Sequence, residues 1–275
     1  MKKAFVFPGQ GAQKVGMVKD LYDSYASVRQ LFEESDDALG FSLTKLCFEG
    51  PDEELMLTYN TQPAILTAST ACNLVLKEEG FQPDIVAGHS LGEYSALVAA
   101  GSLDFADAVR TVRLRGQFMQ EAVPLGEGAM AAILGLDEEK IKSICTQIST
   151  QGATVEAVNF NCPGQIVIAG VTKAVEQAVE SMKEAGAKRA VMLNVSAPFH
   201  STLMQPAAER LAEVLDTITI RDAVIPVVAN VNGEIERTAA DIKASLVKQA
   251  ASPVLWVKCV QAMQAFGADT FVEVG

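Results

Sequence analysis

The sequence predicts an α/β protein in two parts: a larger unit on a mostly parallel sheet and a smaller, inserted unit of ferredoxin-like order. Three observations carry this. From residue 4 to residue 101, short buried strand patterns alternate with helical ones, the rhythm of a parallel sheet covered on both faces. Between 126 and 197 the order becomes β-α-β-β-α-β, that of a ferredoxin-like unit. At 275 residues, 49% of them hydrophobic, and with a mean hydropathy of +0.20, the chain can bury a sizeable core. The expected boundaries are 1–125 with 198–275 for the larger unit and 126–197 for the smaller.

Ala4 to Phe7 is an apolar run stopped by Pro8-Gly9, as in a buried first strand feeding a loop. Helical patterns follow over Val18–Leu39 and Pro63–Glu79, and Gly80 supplies the stop just past the second. Asp84–Gly88 reads as a short buried strand that turns sharply into a helix over Leu91–Ala100, closed by Gly101. In the smaller unit, Met130–Leu134 reads as a strand and Asp137–Ile148 as a helix. Val155–Asn159 and Gln165–Ala169 read as a hairpin across Asn161–Gly164, followed by a helix over Val171–Ala185 and a strand over Arg189–Val195. No fixed-period repeat is present.

Charge and composition exclude several classes. Twenty-two Lys and Arg against 34 Asp and Glu leave −12, and such a surface lacks the basic stripe that nucleic acid requires. The five cysteines are scattered and form no CxxC, which reads as reduced thiols in a cytoplasmic protein rather than a disulfide frame or zinc site. Met1-Lys2-Lys3 precedes an apolar run of only four residues, short of the roughly 7–15 of a signal peptide. Nothing approaches the ~18 apolar residues of a membrane span. A soluble, cytoplasmic protein with neither a nucleic-acid nor a membrane partner is expected.

The chemistry is in Gly88-His89-Ser90-Leu91-Gly92, a G-x-S-x-G sequence between a strand and a helix. A serine on that turn has its Oγ thrust outward, and flanking glycines let neighbouring elements approach. This gives the larger unit an α/β-hydrolase-like form. The amide of Leu91 would face the attacked carbonyl as half of an oxyanion hole. A serine nucleophile needs a base, and the chain has two histidines, His89 and His200. The elbow would turn His89 away from the serine, which leaves it a packing or hydrogen-bonding role and leaves His200 as the base.

Two other places stay open on the residues alone. Pro8-Gly9-Gln10-Gly11 reads as a plain loop, since Lys14 occupies the third glycine's place in G-x-G-x-x-G. Phe105, Val109, Val112, Gly116 and Met119 form an apolar stripe at helical spacing. At ~100° per residue, Arg113 and Arg115 flank that stripe about equally, and geometry does not choose between them.

Taken together, six segments resemble a known family, the malonyl-CoA:acyl-carrier-protein transacylases and related acyltransferase domains of fatty-acid and polyketide synthases. They are Phe7–Gly11, Gly88–Tyr94, Arg113–Gln117, Asn159–Gln165, Ser196–Ser201 and Gln249–Trp256. The resemblance covers nearly the whole chain. It implies that Ser90 is acylated and that His200 is its general base and acid. It also implies that Gln10 and Leu91 form the oxyanion hole, that Arg115 holds the malonyl carboxylate, and that the Gln249 carbonyl orients His200. Asn159 would lie near the acyl pocket, and Phe199 matches the malonyl-type pattern. The expected activity is transfer of malonyl from malonyl-CoA to the phosphopantetheine thiol of acyl carrier protein in fatty-acid biosynthesis. The thioester is substrate, and neither metal nor other cofactor is called for. The family usually runs on past the position of Gly275, so the chain is expected to be cut short there. Two rivals are a serine esterase or thioesterase, with Asp104, Asp107 or Asp137 completing a triad, and a non-catalytic carrier-binding module.

Overall fold

Lys2–Phe7 (β1) forms the first strand and lies in the interior of a sheet, one place from its edge. The structure, a computed structural model, describes residues 1–195 and 197–275; Ser196, at the head of the Ser196–Ser201 segment, lies outside the described residues. After β1 come Lys19–Ser24 (α1), Ala26–Leu39 (α2), Leu43–Glu49 (α3), Asp52–Leu55 (α4) and Thr58–Glu78 (α5). The single helical pattern expected over Val18–Leu39 is therefore two helices. Tyr25 is extended between them, and Arg29 Nη1 takes up the carbonyls of Tyr22 and Asp23 at the end of α1. The helix expected to open at Pro63 begins five residues earlier and carries that proline inside it.

Ile85–Gly88 (β2) leads into Leu91–Ala99 (α6), and Phe105–Glu121 (α7) follows. Then come Gly128–Leu134 (β3), Glu138–Ser149 (α8), Val155–Cys162 (β4), Gln165–Val171 (β5), Thr172–Glu184 (α9) and Arg189–Met192 (β6). The chain finishes with Gln205–Thr217 (α10), Val227–Val228 (β7), Ile235–Glu236 (β8), Ala239–Gln249 (α11), Trp256–Phe266 (α12) and Ala268–Glu273 (β9). Among the described residues, no helix is long and apolar enough to cross a membrane.

Two sheets result. One has the order β8-β7-β2-β1-β9, parallel throughout except where β8 pairs antiparallel with β7. The other has the order β4-β5-β3-β6 and is antiparallel. Strand alternation divides the second sheet between two cores. Ile166 and Ile168 of β5, with Ala131 and Ile133 of β3, pack on α8 and α9 residues such as Ile141 and Val175. Val167, Met130 and Val158 face the other way and join the large core around Phe7, Leu91 and Val112. Backbone bonds stitch the two parts: Phe160 N–H donates to Val254 O at 3.0 Å, and Val254 N–H to Val158 O at 2.8 Å.

Candidate active site

The strand β2 ends at Gly88, and the chain reverses into α6 with Ser90 at φ 52° and ψ −106°. A non-glycine residue held there costs about 1–3 kcal/mol, and it persists only where its surroundings over-determine it. The glycines explain how the turn closes. A Cβ on Gly88 would collide with the Gly92 carbonyl, and one on Gly92 with the carbonyl of Phe7 at the end of β1.

His200 occupies a loop also in the left-handed region, at φ 65°. Its ring is buried, with Nε2 2.7 Å from Ser90 Oγ and Nδ1 3.0 Å from the backbone oxygen of Gln249. A carbonyl can only accept, so Nδ1 carries the ring hydrogen and Nε2 is left to accept from the serine hydroxyl. Burial, and then the Arg115 charge, push His200 down to about 3, so the ring is neutral at ordinary pH. None of the triad aspartates weighed above is its partner: Asp104 and Asp137 cap α7 and α8, and Asp107 pairs with Arg110. His89 is turned from the nucleophile, as its place on the elbow implied. Its Nε2 meets Asn161 Oδ1 at 2.9 Å and its ring stands edge-on to Trp256.

The two arginines of α7 separate clearly. Arg115 is 1% exposed. Its Nη2 donates to Ser90 Oγ at 3.1 Å and to Gln249 Oε1 at 2.8 Å, and its Nη1 to Gln62 Oε1 at 2.9 Å. No carboxylate touches it among the described residues, and its Nε has no partner there. Arg113 serves the backbone instead. Pro63 has no N–H to give the carbonyl of Tyr59 one turn earlier, and Arg113 Nη1 supplies that donor at 2.9 Å while its guanidinium lies over the Phe41 and Tyr59 rings.

Ser90, His200 and Arg115 open on a cleft of about 210 Å³ that Gln10, Leu91 and Asn159 also line. Met130 and Val167 of the second sheet form its far wall. Leu91 is the first residue of α6, where backbone amides lack intrahelical acceptors. Gln10 lies in the loop after β1 with its side chain toward Thr58. Neither amide has a protein acceptor among the described residues. Asn159 is on β4, buried, with no partner for Oδ1 among the described residues.

Three contributors were not foreseen. Gln62 accepts from Arg115, but its only sequence signal is an amide in a buried, largely apolar helix. Glu93 lies within Gly88–Tyr94, and its sequence signal is that of a lone acid in the otherwise uncharged Leu91–Ala100. Asn230 follows the apolar Val227–Ala229 in no recognisable pattern.

Comparison with known proteins then gives a consistent set. The acyl transferase domain family matches residues 4–275. The malonyl CoA-acyl carrier protein transacylase of Bacillus subtilis (strain 168) is 55% identical over 274 residues, covering 100% of this chain and 86% of that protein. A crystal structure of an acyl carrier protein S-malonyltransferase from Vibrio cholerae superposes with a TM-score of 0.97 at 50% identity, covering 100% and 90% of the two chains. A malonyl-transacylase solved in complex with its type II polyketide acyl carrier protein also gives 0.97 at 50% identity, covering 100% and 89%.

Proposed function

The chain belongs to the acyl transferase domain family, and from that membership we propose how its residues carry out the transfer. The protein moves the malonyl group of malonyl-CoA to acyl carrier protein in fatty-acid synthesis. The observation that carries the residue-level reading is the placement of Ser90 Oγ between a neutral histidine Nε2 at 2.7 Å and a buried guanidinium at 3.1 Å.

His200 Nε2 takes the proton of Ser90 as Oγ attacks the thioester carbonyl. The amides of Gln10 and Leu91 receive the oxyanion, and Arg115 receives the malonyl carboxylate, whose planar shape its fork matches. As the carbon–sulfur bond breaks, His200 returns the proton to the departing coenzyme A sulfur. The carrier's phosphopantetheine thiol repeats the sequence in reverse: its proton passes to His200, its sulfur attacks the acyl-serine, and the proton returns to Ser90. Pairing of Arg115 with the carboxylate removes one of the influences that hold His200 low, bringing the base closer to working pH. Asn159 bounds the acyl pocket.

The parallel sheet, with its elbow serine, is read as α/β-hydrolase-like. The antiparallel sheet of residues 126–197 is read as the inserted ferredoxin-like unit, with 1–125 and 198–275 as the larger one. A cytoplasmic location and chemistry without metal or redox cofactor complete the reading. Intact mass tests it. Malonyl-CoA is expected to add one malonyl group, carrier protein to remove it, and Ser90→Ala to abolish the adduct. An adduct retained by Ser90→Ala would exclude the mechanism.

A further inference from the structure

The elbow is held from outside by a buried polar group that the reaction itself does not use. Asn230 Oδ1 accepts from Ser90 N–H at 2.7 Å, and its Nδ2 donates to Gly88 O at 2.7 Å. Gln249 Nε2 donates to Ser90 O at 2.9 Å. Both backbone polar groups of the strained serine are thus gripped by side chains well over a hundred positions away in the chain. The backbone of Asn230 and the side chain of Gln249 meet at one oxygen. Glu93 Oε2 accepts from Asn230 N–H at 3.0 Å and from Gln249 Nε2 at 2.9 Å. Glu93 is only 2% exposed, and Gln249 also bonds His200 through its carbonyl and Arg115 through Oε1.

We propose that Glu93 and Asn230 are positioning residues, a buried clamp that fixes the Ser90 elbow and, through Gln249, its registration with His200 and Arg115. This rests on the reading of Ser90 as nucleophile. The need is physical: a serine at positive φ relaxes unless its neighbours over-determine it, and misplacing a reacting atom by about 1 Å costs about a hundredfold in rate. The two members act on different parts. The Asn230 side-chain amide bonds the elbow itself, at Ser90 N–H and Gly88 O, so its loss slows acylation by every acyl-CoA alike. Glu93 also steadies Gln249, so its loss loosens Arg115 and erodes the preference for a carboxylate-bearing acyl group.

The test is single-turnover acylation by malonyl-CoA and by acetyl-CoA, read by intact mass on folded protein. Asn230→Asp keeps the shape and the acceptor for Ser90 N–H but opposes an oxygen to Gly88 O. It is expected to slow both acyl groups about a hundredfold with their ratio unchanged. Glu93→Met removes the shared acceptor and is expected to slow malonyl transfer by about the same factor while lowering the malonyl-to-acetyl ratio. Glu93→Gln keeps an acceptor oxygen and should recover most of both. A role confined to stability would leave that ratio unmoved. Folded Asn230→Asp acylating at the wild-type rate overturns the clamp, as does folded Glu93→Met with both rate and ratio intact. If Glu93→Met fails to fold, Asn230→Asp still decides. Ser90→Ala, run alongside, tests the nucleophile separately.

Discussion

On the proposed reading, the buried Arg115 guanidinium beside Ser90 meets very different partners when malonyl and acetyl thioesters enter. Among the described residues, Arg115 donates to the neutral acceptors Gln62, Gln249 and Ser90. An acetyl group leaves its charge without a counter-ion, at a cost on the order of 3 kcal/mol, or roughly a hundredfold in kcat/KM. Arg115→Ala is therefore expected to collapse malonyl transfer while acetyl transfer persists or rises. Arg115→Lys should rescue only partly, because it restores charge without the fork. The check is kcat/KM for both acyl-CoAs; equal losses would make Arg115 structural. Arg113→Ala is expected to behave differently, because it strips the donor from the Tyr59 carbonyl that Pro63 leaves unpaired. It should lower the denaturant midpoint by the equivalent of about 1–3 kcal/mol, with the malonyl-to-acetyl ratio held.

At the scale of elements, the site depends on α6 lying close against the end of β1. Gly92 permits that approach, since a methyl group there has no room beside the Phe7 carbonyl. Gly92→Ala is expected to destabilise the protein by about 3 kcal/mol through overpacking and to depress Ser90 acylation, measured by urea unfolding and intact mass. A helix start away from the cleft gives the contrast. Asp137 caps α8 by accepting from Glu139 and Lys140. Asp137→Ala should cost about 1 kcal/mol of stability and leave acylation untouched. Loss of acylation in that variant would revive the aspartate triad of an esterase, which the Gln249 carbonyl at His200 Nδ1 argues against.

The whole molecule carries two buried groups whose titrations oppose each other. Burial pushes Glu93 from 4.5 up to about 7. Across that window the folded protein keeps a proton that the unfolded chain releases, so stability falls as pH rises. Burial and Arg115 pull His200 from 6.5 down to about 3. There the unfolded chain binds the extra proton, so stability falls as pH drops below about 6.5. Glu93→Gln removes the first dependence only. Urea midpoints at about pH 6 and about pH 8 should show the variant gaining on the wild type at the higher value. Parallel pH profiles would mean that Glu93 ionises without penalty.

By itself the sequence determined the alternation of strands and helices, the serine elbow and the turning of His89 away from the serine. All of these are local matters: strand period, helix period and turn glycines act over a few neighbouring residues. Even so, Tyr25 broke a helix that hydrophobic spacing alone ran straight through, because the Arg29 guanidinium could satisfy the carbonyls left at the break. Helical spacing left Arg115 and Arg113 equivalent, and the tertiary structure separated their surroundings. The two flank one apolar stripe almost symmetrically, and what distinguishes them is a proline on α5 and a serine on the elbow, both remote in sequence. The tertiary structure also drew Glu93, Asn230 and Gln249 into contact around Ser90. Asn230 lies 140 positions from the serine it grips. No periodicity links such residues, because a hydrogen bond is decided by where folded elements meet, and burial then makes leaving it unmade costly.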